Sequence, residues 1–596
     1  YLEMSRDLAP VAKKAFMEHS GASPAILGGM IRRGIFEEEK KTVSRIPQPE
    51  TGLQPAAILT AEQQKACDEI RASFATGNIT LLHGVASSGK TEIYIHLIAD
   101  ELAAGRQALY LLPEIAITTQ ITVRLQRIFG QRLLVCHSGI SDGERIEIWH
   151  RLVQSDEPLV ILGNRSAVFL PFGRPGLIII DEEHDTSYKQ QDASPRYHAR
   201  NTAMILAAKT GAKTLLGSAT PSLESYMWAK NGKYGMVQLS SRYGGCPVPR
   251  LEIADVRDLR RKRRMKDTLF SPILRESIDG ALSAGEQVML FQNRRGFAPL
   301  VECGECGHVP HCRNCDVSLT YHKQKQQLVC HYCGYSVSLY SKCTSCGSSD
   351  IKMQGFGTEK IEEEVATLFP SAKTARLDVD AVRSRKEYGR ILVDFEEGKT
   401  QILVGAQMIT KGLDFGNVSV VGIMNADGMM NMPDFRAYER AFQMMMQVSG
   451  RAGRRDRQGL VVLQTSQSDN PLLQLIRRFD YEGMAQVQLQ ERYAFHYPPY
   501  TRLLIIILRS PNEEALESIS TAYSEKLRAR LGEGVSAPVY PPVTRVKAMF
   551  VRKIMIKTDM SASVPETRRI LDEVRSEMQR DRLFRQVTVR YDVDPQ

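Results

Sequence analysis

Glycine, lysine and threonine residues near position 84 have the spacing of a phosphate-binding loop. An apolar run that begins at Leu81 leads into the pattern Gly84-x4-Gly89-Lys90-Thr91. The glycines let backbone N–H groups surround phosphates, Lys90 can reach the outer phosphates, and Thr91 offers Mg²⁺ a hydroxyl where a helix begins. The pattern predicts a nucleotide site whose phosphate contacts come from Gly84, Ser87, Ser88, Gly89, Lys90 and Thr91.

A glutamine ahead of this loop has two interpretations. Thr60 and Gln63 stand three residues apart where a helical pattern begins, which is the spacing of a capping box. Gln63 could instead bind the adenine of the nucleotide. We favour the capping role.

Acidic residues follow a strongly apolar run at positions 177–180. The run ends in Asp181-Glu182-Glu183-His184, as expected for a buried strand that delivers carboxylates to the end of a sheet. Asp181 could hold Mg²⁺ together with Thr91, and Glu182 could orient or deprotonate the attacking water. The alternative is an acidic first turn of a helix.

Cysteine gives a second chemical signal. Eight of the eleven cysteines fall between Cys303 and Cys346 as four C-x2-C pairs. Four thiolates bind Zn²⁺ tetrahedrally and stabilise short Gly-rich segments, so the spacing predicts two structural zinc sites, whereas a disulfide framework would require an oxidising compartment. Four pairs can combine in three ways. The predicted zinc ligands are Cys303, Cys306, Cys312, Cys315, Cys330, Cys333, Cys343 and Cys346.

Alternating strands and helices must position these residues. After the phosphate loop, β-rich runs at 107–113, 132–137, 158–162, 176–180 and 213–217 alternate with helical patterns, which predicts a doubly wound parallel sheet. Toward the end of the chain, strand patterns at 503–508, 550–556 and 587–593 alternate with helical patterns at 513–531 and 565–579. That part is expected to form an α+β domain.

Length and composition fit a protein of several domains. At 596 residues the chain is long enough for about four domains, and Lys and Arg (78) exceed Asp and Glu (68) by 10, which is compatible with a polyanionic partner. No apolar run reaches the ~18 residues of a membrane span, and no signal pattern opens the chain. The sequence therefore predicts a soluble, cytoplasmic protein without a membrane partner.

Several longer motifs resemble those of superfamily 2 helicases, and in particular the primosomal protein N′ family of bacterial replication-restart helicases. They are LLPEIAIT from 111, HSGIS from 137, GNRSAVF from 163, DEEHDTSYKQQ from 181, RYHAR from 196, GSATP from 217, PDFRAYERAFQ from 433 and QVSGRAGR from 447. The resemblance implies two RecA-like helicase lobes of class α/β, with ATP, Mg²⁺ and two Zn²⁺ as cofactors. It also favours zinc sets nested as Cys303, Cys306, Cys343, Cys346 and as Cys312, Cys315, Cys330, Cys333.

The resemblance assigns further site residues. Gln447, Arg451 and Arg454 would reach across the cleft from the second lobe, the arginines as fingers on the γ-phosphate. Coupling to DNA would involve Ser218, Thr220 and Lys411, and also a basic-aromatic loop of Tyr188, Lys189, Arg196, Tyr197 and Arg200. Rings and guanidinium groups in that loop could stack on unpaired bases and neutralise phosphates. One of its tyrosines could instead pack in the core.

Together these patterns predict the following domains: a winged-helix-like module (1–46), a linker (47–58), helicase lobe 1 (59–245), lobe 2 in two parts (246–300 and 351–470), a zinc-binding insertion (301–350) and a C-terminal DNA- and partner-binding domain (471–596). Relatives carry a further N-terminal domain that recognises the 3′ end of a nascent strand. Since the chain starts near the winged-helix region, we expect that recognition to be missing.

The function implied by the resemblance is an ATP-dependent 3′ to 5′ DNA helicase that binds stalled or branched forks and initiates primosome assembly. Its implied partners are forked and single-stranded DNA, primosome proteins, the replicative helicase loading machinery and single-stranded DNA-binding protein. Two alternatives stay open. The chain could be a primosome-loading scaffold with an idle ATPase, or another superfamily 2 translocase.

Overall fold

The N-terminal region contains two short helices. The computed structural model describes residues 11–39, 53–113, 119–191, 194–265, 268–293, 301–315, 317–322, 326–353, 357–378, 382, 385–409, 415–453, 458–541 and 543–596. Helices α1 (Lys13–Ser20) and α2 (Pro24–Arg32) are joined by a turn in which Ser23 accepts a hydrogen bond from the Ile26 N–H and so caps α2. Residues 1–10 and 40–46 of the predicted winged-helix-like module lie outside the described residues.

The first lobe is a seven-stranded parallel sheet with helices on both faces. Its strands are β1 (Ile79–Gly84), β2 (Gln107–Leu111), β3 (Leu133–Cys136), β4 (Val160–Gly163), β5 (Pro175–Asp181), β6 (Lys213–Ser218) and β7 (Gly235–Leu239), in the order β3-β4-β2-β5-β6-β1-β7. Its helices are α3 (Ala61–Thr76), α4 (Lys90–Ala103), α5 (Thr119–Phe129), α6 (Asp142–Gln154), α7 (Ala199–Thr210) and α8 (Leu223–Lys230). The strands predicted between 107 and 217 are confirmed within one to two residues.

Strand order places the polar motifs of this lobe side by side. Strand β6 pairs with β5 on one side and with β1 on the other, all in parallel. The carboxyl end of β6, at Ser218, therefore lies between Asp181 at the end of β5 and the phosphate loop that follows β1. Apolar side chains on both faces of the strands form two buried layers, as a parallel sheet between helices requires.

The second lobe is a six-stranded parallel sheet. Its strands are β8 (Arg250–Asp255), β9 (Gln287–Phe291), β15 (Thr374–Leu377), β16 (Ile402–Gly405), β17 (Val418–Ile423) and β18 (Leu460–Thr465), in the order β15-β16-β9-β17-β18-β8. Its helices are α9 (Val256–Arg261), α10 (Pro272–Ser283), α11 (Thr358–Leu368), α12 (Arg385–Glu396), α13 (Asp427–Met430) and α14 (Ala437–Ser449). Helix α14 faces lobe 1 through Gln443 and Gln447, and Glu396 of α12 also meets lobe 1, where it accepts from Gln120 Nε2 at 2.9 Å.

The cysteine-rich insertion leaves the second lobe after β9 and returns before α11. Strands β10 (Val301–Cys303) and β14 (Ile351–Met353) pair at its base, and β11 (Thr320–His322), β12 (Gln327–Val329) and β13 (Ser336–Ser338) form a small antiparallel sheet. The short strands enclose few apolar side chains. A module of this size needs a further source of stability, such as bound metal.

Helices α15 (Pro471–Arg477) and α16 (Tyr481–Ala494) follow the second sheet. Leu473 and Ile476 of α15 and Met484 of α16 are buried in the apolar cluster of the second lobe. The boundary predicted at residue 471, between lobe 2 and the C-terminal domain, assigns these helices to the C-terminal domain although they pack in the core of lobe 2. Because their apolar faces are covered by lobe 2, they extend that lobe.

The C-terminal domain is a four-stranded antiparallel sheet with two helices. Strands β19 (Thr501–Ser510), β20 (Arg545–Val546), β21 (Met549–Asp559) and β22 (Thr588–Val593) lie in the order β20-β21-β19-β22. Helices α17 (Glu513–Leu531) and α18 (Val564–Met578) pack with the sheet around a buried apolar cluster. The α+β pattern predicted for this region is confirmed. Among the helices that the structure describes, none has both the length and the apolar character to cross a bilayer.

Buried charges join the two lobes to helix α16. The Arg492 guanidinium donates to Glu439 of α14 and lies 3.6 Å from the Glu224 carboxylate of lobe 1. Arg436 donates to the same Glu224 carboxylate at 3.2 Å. Burial opposes ionisation of Glu224, but the guanidinium groups of Arg436, Arg492 and Arg200 outweigh it and lower the pKa of this carboxyl to about 2. Each buried charge thus has a partner of opposite sign, in most cases from another part of the chain.

Replacing one member of this network tests how far it stabilises the fold. The side chain of Arg492 is 2% exposed. In Arg492→Met, Glu439 loses its cationic partner in a buried position, so we expect the free energy of unfolding to fall by about 3–5 kcal/mol. Calorimetric unfolding would show this as a lower transition temperature.

Arg569→Met is the matched control, because Arg569 is 59% exposed and pairs with Glu566 and Glu573 only at the surface. This variant should unfold at the wild-type temperature. Equal shifts for both variants would contradict the stabilising role of the buried network.

Candidate nucleotide site and zinc centres

The phosphate loop is a tight turn between β1 and α4. Gly89 has φ +81°, and a Cβ at that position would lie 2.2 Å from Gln63 Nε2. A Cβ at Gly84 would meet Ser88 Oγ at 3.0 Å and the Lys90 side chain at 3.1 Å. Position 89 therefore favours glycine for its left-handed backbone conformation, and at Gly84 the absence of a Cβ leaves room for the Ser88 and Lys90 side chains.

The groups of this loop fit a polyphosphate. Lys90 Nζ donates to Gly84 O at 2.9 Å, so the ammonium group lies over the loop. The buried hydroxyls of Ser87 and Ser88 have no hydrogen-bond partner among the residues that the structure describes. The loop leads directly into the N-terminus of the 14-residue helix α4. Unpartnered donors, an ammonium group and a helix N-terminus are the features that bind phosphate oxygens.

The Gln63 side chain contacts the backbone of the phosphate loop. Its Oε1 accepts from Thr60 N at 3.0 Å, and Thr60 Oγ1 accepts from Gln63 N at 3.3 Å, which confirms the predicted capping box. Its Nε2 donates to Ser88 O at 3.2 Å. Since this amide is buried and engaged by the protein, it positions the phosphate loop. Binding of adenine by Gln63 stays a prediction.

Two tyrosines bring the predicted magnesium ligands together. Tyr110 Oη donates to Asp181 at 3.4 Å and interacts with the Thr91 side chain, while Tyr94 Oη donates to Asp181 at 2.9 Å. Burial, followed by the adjacent Glu182 carboxylate, raises the pKa of Asp181 to about 6. A hydroxyl and a carboxylate held beside a phosphate loop are the oxygen donors that Mg²⁺ prefers.

Glu182 meets a side chain from the second lobe. Gln447 Nε2 of α14 donates to Glu182 Oε2 at 3.4 Å and to His184 Nε2 at 3.0 Å. Because His184 Nε2 then accepts, the ring proton is on Nδ1, which donates to Ser218 Oγ at 2.8 Å. A chain of hydrogen bonds therefore runs from the second lobe through the acidic motif to the end of β6.

The C-terminal end of helix α14 also contacts the phosphate loop. A Cβ at Gly450 would lie 2.9 Å from the Ala86 Cβ, so this glycine allows close packing of the two lobes. Burial lowers the pKa of Arg451, and the nearby Glu182 carboxylate opposes that shift. Arg454 and Lys411, two other predicted site residues, lie outside the described residues.

Arg242 makes two contacts at this site that the sequence motifs did not indicate. Its Nε donates to Ala86 O at 3.3 Å in the phosphate loop, and its Nη2 donates to Gly450 O at 3.4 Å in the second lobe. It lies just after β7, in no recognised motif. Its role depends on contacts between residues distant in sequence, so local spacing carries no signal for it.

The predicted base-stacking role of Tyr188 is wrong in this structure. The ring is fully buried, and its hydroxyl donates to Leu111 O at 3.0 Å and to Asp181 O at 2.7 Å. Arg200 is also buried and pairs with Glu183. The alternative of a core tyrosine is therefore the correct one, because Tyr188 packs in the apolar cluster on one face of the first sheet.

The rest of the basic-aromatic loop holds the C-terminal domain. Lys189, which is 2% exposed, lies 3.0 Å from Asp592 Oδ1 of β22, and Arg196 Nη1 donates to Asp592 Oδ2 at 3.0 Å. Tyr197 packs edge-on against Phe169 with ring centroids 4.7 Å apart. In this structure the predicted contacts of Lys189 and Arg196 with DNA phosphates are replaced by ion pairs within the chain.

Thr220 and Ser218 lie in the same buried turn. Ser218 Oγ accepts from Thr220 N at 3.0 Å, which fixes the turn that follows β6. Both side chains are buried. Their predicted coupling to DNA would therefore act through neighbouring residues of the protein.

Eight cysteines form two groups of four. Cys303, Cys306, Cys343 and Cys346 form one group, and Cys312, Cys315, Cys330 and Cys333 form the other, with all ligand atoms of a group within 4.8 Å of one another. These are the two nested sets that the family resemblance implies.

The sulfur geometry fits zinc. The Sγ atoms of Cys306 and Cys343 are 3.5 Å apart, and those of Cys312 and Cys333 are also 3.5 Å apart. Zn–S bonds of about 2.3 Å in a tetrahedron place sulfurs about 3.8 Å apart. Backbone N–H groups donate to sulfurs, as Tyr332 N does to Cys330 Sγ at 3.4 Å, which favours the thiolate form.

Zinc content tests the two sets. We expect two zinc ions per wild-type chain and one in Cys312→Ser, because a hydroxyl replaces one thiolate of a single set. Cys67→Ser serves as the control, since Cys67 is a buried cysteine outside both groups. It should retain two ions. Elemental analysis of purified protein gives the ratio, and two ions in Cys312→Ser would contradict the assignment.

Four family models match separate ranges of the chain. They are the DEAD/DEAH box helicase (60–227), the PriA DNA helicase Cys-rich region (CRR) domain (312–337), the helicase conserved C-terminal domain (355–456) and the primosomal protein N C-terminal domain (493–596). With the two parallel sheets, these matches confirm the predicted RecA-like lobes, the zinc-binding insertion and the C-terminal α+β domain.

Whole proteins give the same result. Replication restart protein PriA of Bacillus subtilis is 38% identical over 96% of this chain and 71% of its own length. The Haemophilus influenzae protein of the same name is 38% identical over 96% of this chain and 78% of its own. A solved structure of RecG bound to a three-way DNA junction matches 73% of this chain and 47% of that chain with 16% identity and a TM-score of 0.43, which supports no conclusion here. From the identity and coverage of the curated relatives, the chain belongs to the replication restart protein PriA family.

Proposed function

We propose that this chain is an ATP- and Mg²⁺-dependent DNA helicase that moves 3′ to 5′, binds stalled or branched forks and initiates primosome assembly. The observation that carries the proposal is the meeting of two lobes at one nucleotide site. Gln447 of lobe 2 contacts Glu182 beside the phosphate loop of lobe 1. A site completed by both lobes can convert nucleotide turnover into relative movement.

Each residue of the cleft has a separate task in hydrolysis. Lys90 binds the outer phosphates, and Thr91 and Asp181 would hold Mg²⁺, which would supply positive charge to the phosphate oxygens. Glu182 orients the attacking water and accepts its proton, held in place by Gln447. Arg451 and Arg454 stabilise the charge that develops on the γ-phosphate, an effect worth ~10³- to 10⁵-fold in rate.

The zinc-binding insertion joins the motor to the C-terminal domain. At its base, Arg257 Nη1 donates to Cys306 O at 3.1 Å and Gln467 Nε2 donates to Gly307 O at 3.1 Å, both from lobe 2. At its tip, His331 hydrogen-bonds Tyr540 O of the C-terminal domain. We propose that bound zinc keeps this bridge rigid, so that movement of lobe 2 reaches the C-terminal domain.

We propose that this arrangement also serves fork recognition. Lys189 and Arg196, in the loop after the acidic motif, form ion pairs with Asp592 of β22. The C-terminal domain therefore contacts lobe 1 as well as the insertion. We propose that DNA held by the C-terminal domain reaches the nucleotide site through these contacts. Primosome proteins, the helicase loading machinery and single-stranded DNA-binding protein would meet the outer surface of the same domain and of the insertion.

ATP turnover with different nucleic acids tests the proposal. We expect forked DNA to stimulate hydrolysis by the wild-type chain, single-stranded DNA to stimulate it less, and RNA not to stimulate it. Lys90→Ala should lose roughly 10²-fold or more in turnover, because it removes a cation from the transferring phosphate. Unwinding of duplexes with a 3′ or a 5′ tail then determines direction.

Lys65→Ala is the control variant, because Lys65 lies exposed on α3 and forms only a surface pair with Glu69. It should retain wild-type turnover. If the wild type hydrolyses ATP no faster than Lys90→Ala with every nucleic acid, the scaffold with an idle ATPase becomes the better account. Stimulation by RNA alone would instead indicate a different superfamily 2 motor.

A further inference from the structure

One face of helix α14 contacts lobe 1 at three successive turns. Glu439, Gln443 and Gln447 are spaced by four residues, so their side chains lie on the same side of the helix. Gln447 meets the acidic motif at the nucleotide site. The other two meet the segment 220–223, which follows β6, and neither of them touches the phosphate loop in the contacts described.

Gln443 provides the central contact. Its Nε2 donates to Thr220 O and to Pro221 O, both at 3.3 Å, and lies 3.4 Å from Glu439 Oε1. Its residue exposure is 7%. The two carbonyl groups point out of the turn toward the second lobe, so in this structure a donor from α14 meets them.

Glu439 holds the far end of the same segment. Its Oε1 accepts from Leu223 N at 2.9 Å, at the first turn of α8. Its other oxygen accepts from Arg492 of α16. Tyr481 Oη adds a third contact to the segment, donating to Pro221 O at 2.8 Å. The segment is thus held from lobe 2 by its carbonyl groups and by its last N–H.

Ser218, which lies just before this segment, belongs to the nucleotide site. Ser218 Oγ bonds His184, and His184 in turn accepts from Gln447. One helix of lobe 2 therefore contacts both the acidic motif and the turn behind it. Any shift of α14 along lobe 1 must change the contacts of Gln447 and Gln443 together.

We propose that Gln443 is a positioning residue that couples the binding of DNA to ATP hydrolysis. The inference rests on the proposed helicase function. By holding the carbonyl groups of Thr220 and Pro221, Gln443 fixes the 218–221 turn relative to α14, and so sets the geometry in which Gln447 meets Glu182. Without the Gln443 amide, the chain still binds ATP and DNA, but the binding of DNA no longer changes the rate of ATP hydrolysis.

The coupling is measured as the ratio of kcat with forked DNA to kcat without DNA. In Gln443→Met, a side chain of similar length without polar hydrogens, we expect this ratio to fall about fivefold to tenfold, within the usual range of coupling between sites. KM for ATP and the affinity for forked DNA, measured by fluorescence anisotropy, should stay within about twofold of the wild-type values. Gln443→Ala gives a second variant with less risk of strain in the interface.

Gln287→Met is the matched control. Gln287 is also buried, and its Nε2 donates to two carbonyl groups, Phe395 O at 2.6 Å and Thr400 O at 2.8 Å, but both lie within lobe 2. Its ratio of stimulation should equal that of the wild type, whatever its loss of stability.

The outcomes separate the two proposals. If DNA stimulates the wild type and the ratio is unchanged in both Gln443 variants, the role of Gln443 is wrong and the helicase function stands. An equal loss of the ratio in Gln287→Met also overturns the role, because it indicates general softening of lobe 2. If DNA does not stimulate the wild type, the proposed function fails and the coupling role fails with it.

Discussion

The contact between helix α14 and the strand ends of lobe 1 is the constraint on which the rest of the structure depends. Parallel sheets present their polar loops at the carboxyl ends of the strands, where ligands gather. In lobe 1 that edge holds the phosphate loop, the acidic motif and the 218–223 segment. A single helix of lobe 2 reaches all three, and Gly450 at its end lies against Ala86 of the phosphate loop. The nucleotide site therefore depends on how the lobes are placed.

Buried charge makes that placement specific. An ion removed from water is costly unless a partner of opposite sign lies close to it. This requirement is met only when lobe 1, lobe 2 and α16 are correctly placed, because the ion pairs join Arg492 and Arg436 to Glu439 and Glu224. Apolar packing of Tyr226, Phe442 and their neighbours would tolerate small displacements. The charges tolerate fewer, so they define one arrangement of the three parts.

Local pattern was enough to predict the parts of the site that depend on local spacing. Gly89 and Lys90 are adjacent in sequence, so their geometry is specified within one turn, and the capping box of Thr60 and Gln63 is equally local. Parallel strands were predictable because burial on both faces requires continuous apolar runs. The cysteine pairs predicted zinc, while their combination into sets required the family resemblance.

Contacts between distant segments were not predictable in this way. Tyr188 and Lys189 have the composition of a nucleic-acid loop, but composition does not say whether a side chain points outward. In this structure they point to Asp181 O and Asp592. Arg242 and Gln443 were missed for a related reason. Gln443 bonds backbone carbonyl groups of the other lobe, and Arg242 bonds carbonyl groups of both lobes. A sequence pattern does not indicate which carbonyl group a distant side chain will meet.

Hydrogen–deuterium exchange tests the central claim, that α14 and the turn after β6 move as one unit. Peptides covering 218–223 and 439–451 would be followed with no ligand, with a non-hydrolysable ATP analogue and with forked DNA added. The account predicts that protection in the two peptides changes together, with the same sign, at each addition. A change in one peptide that leaves the other unaffected would contradict it.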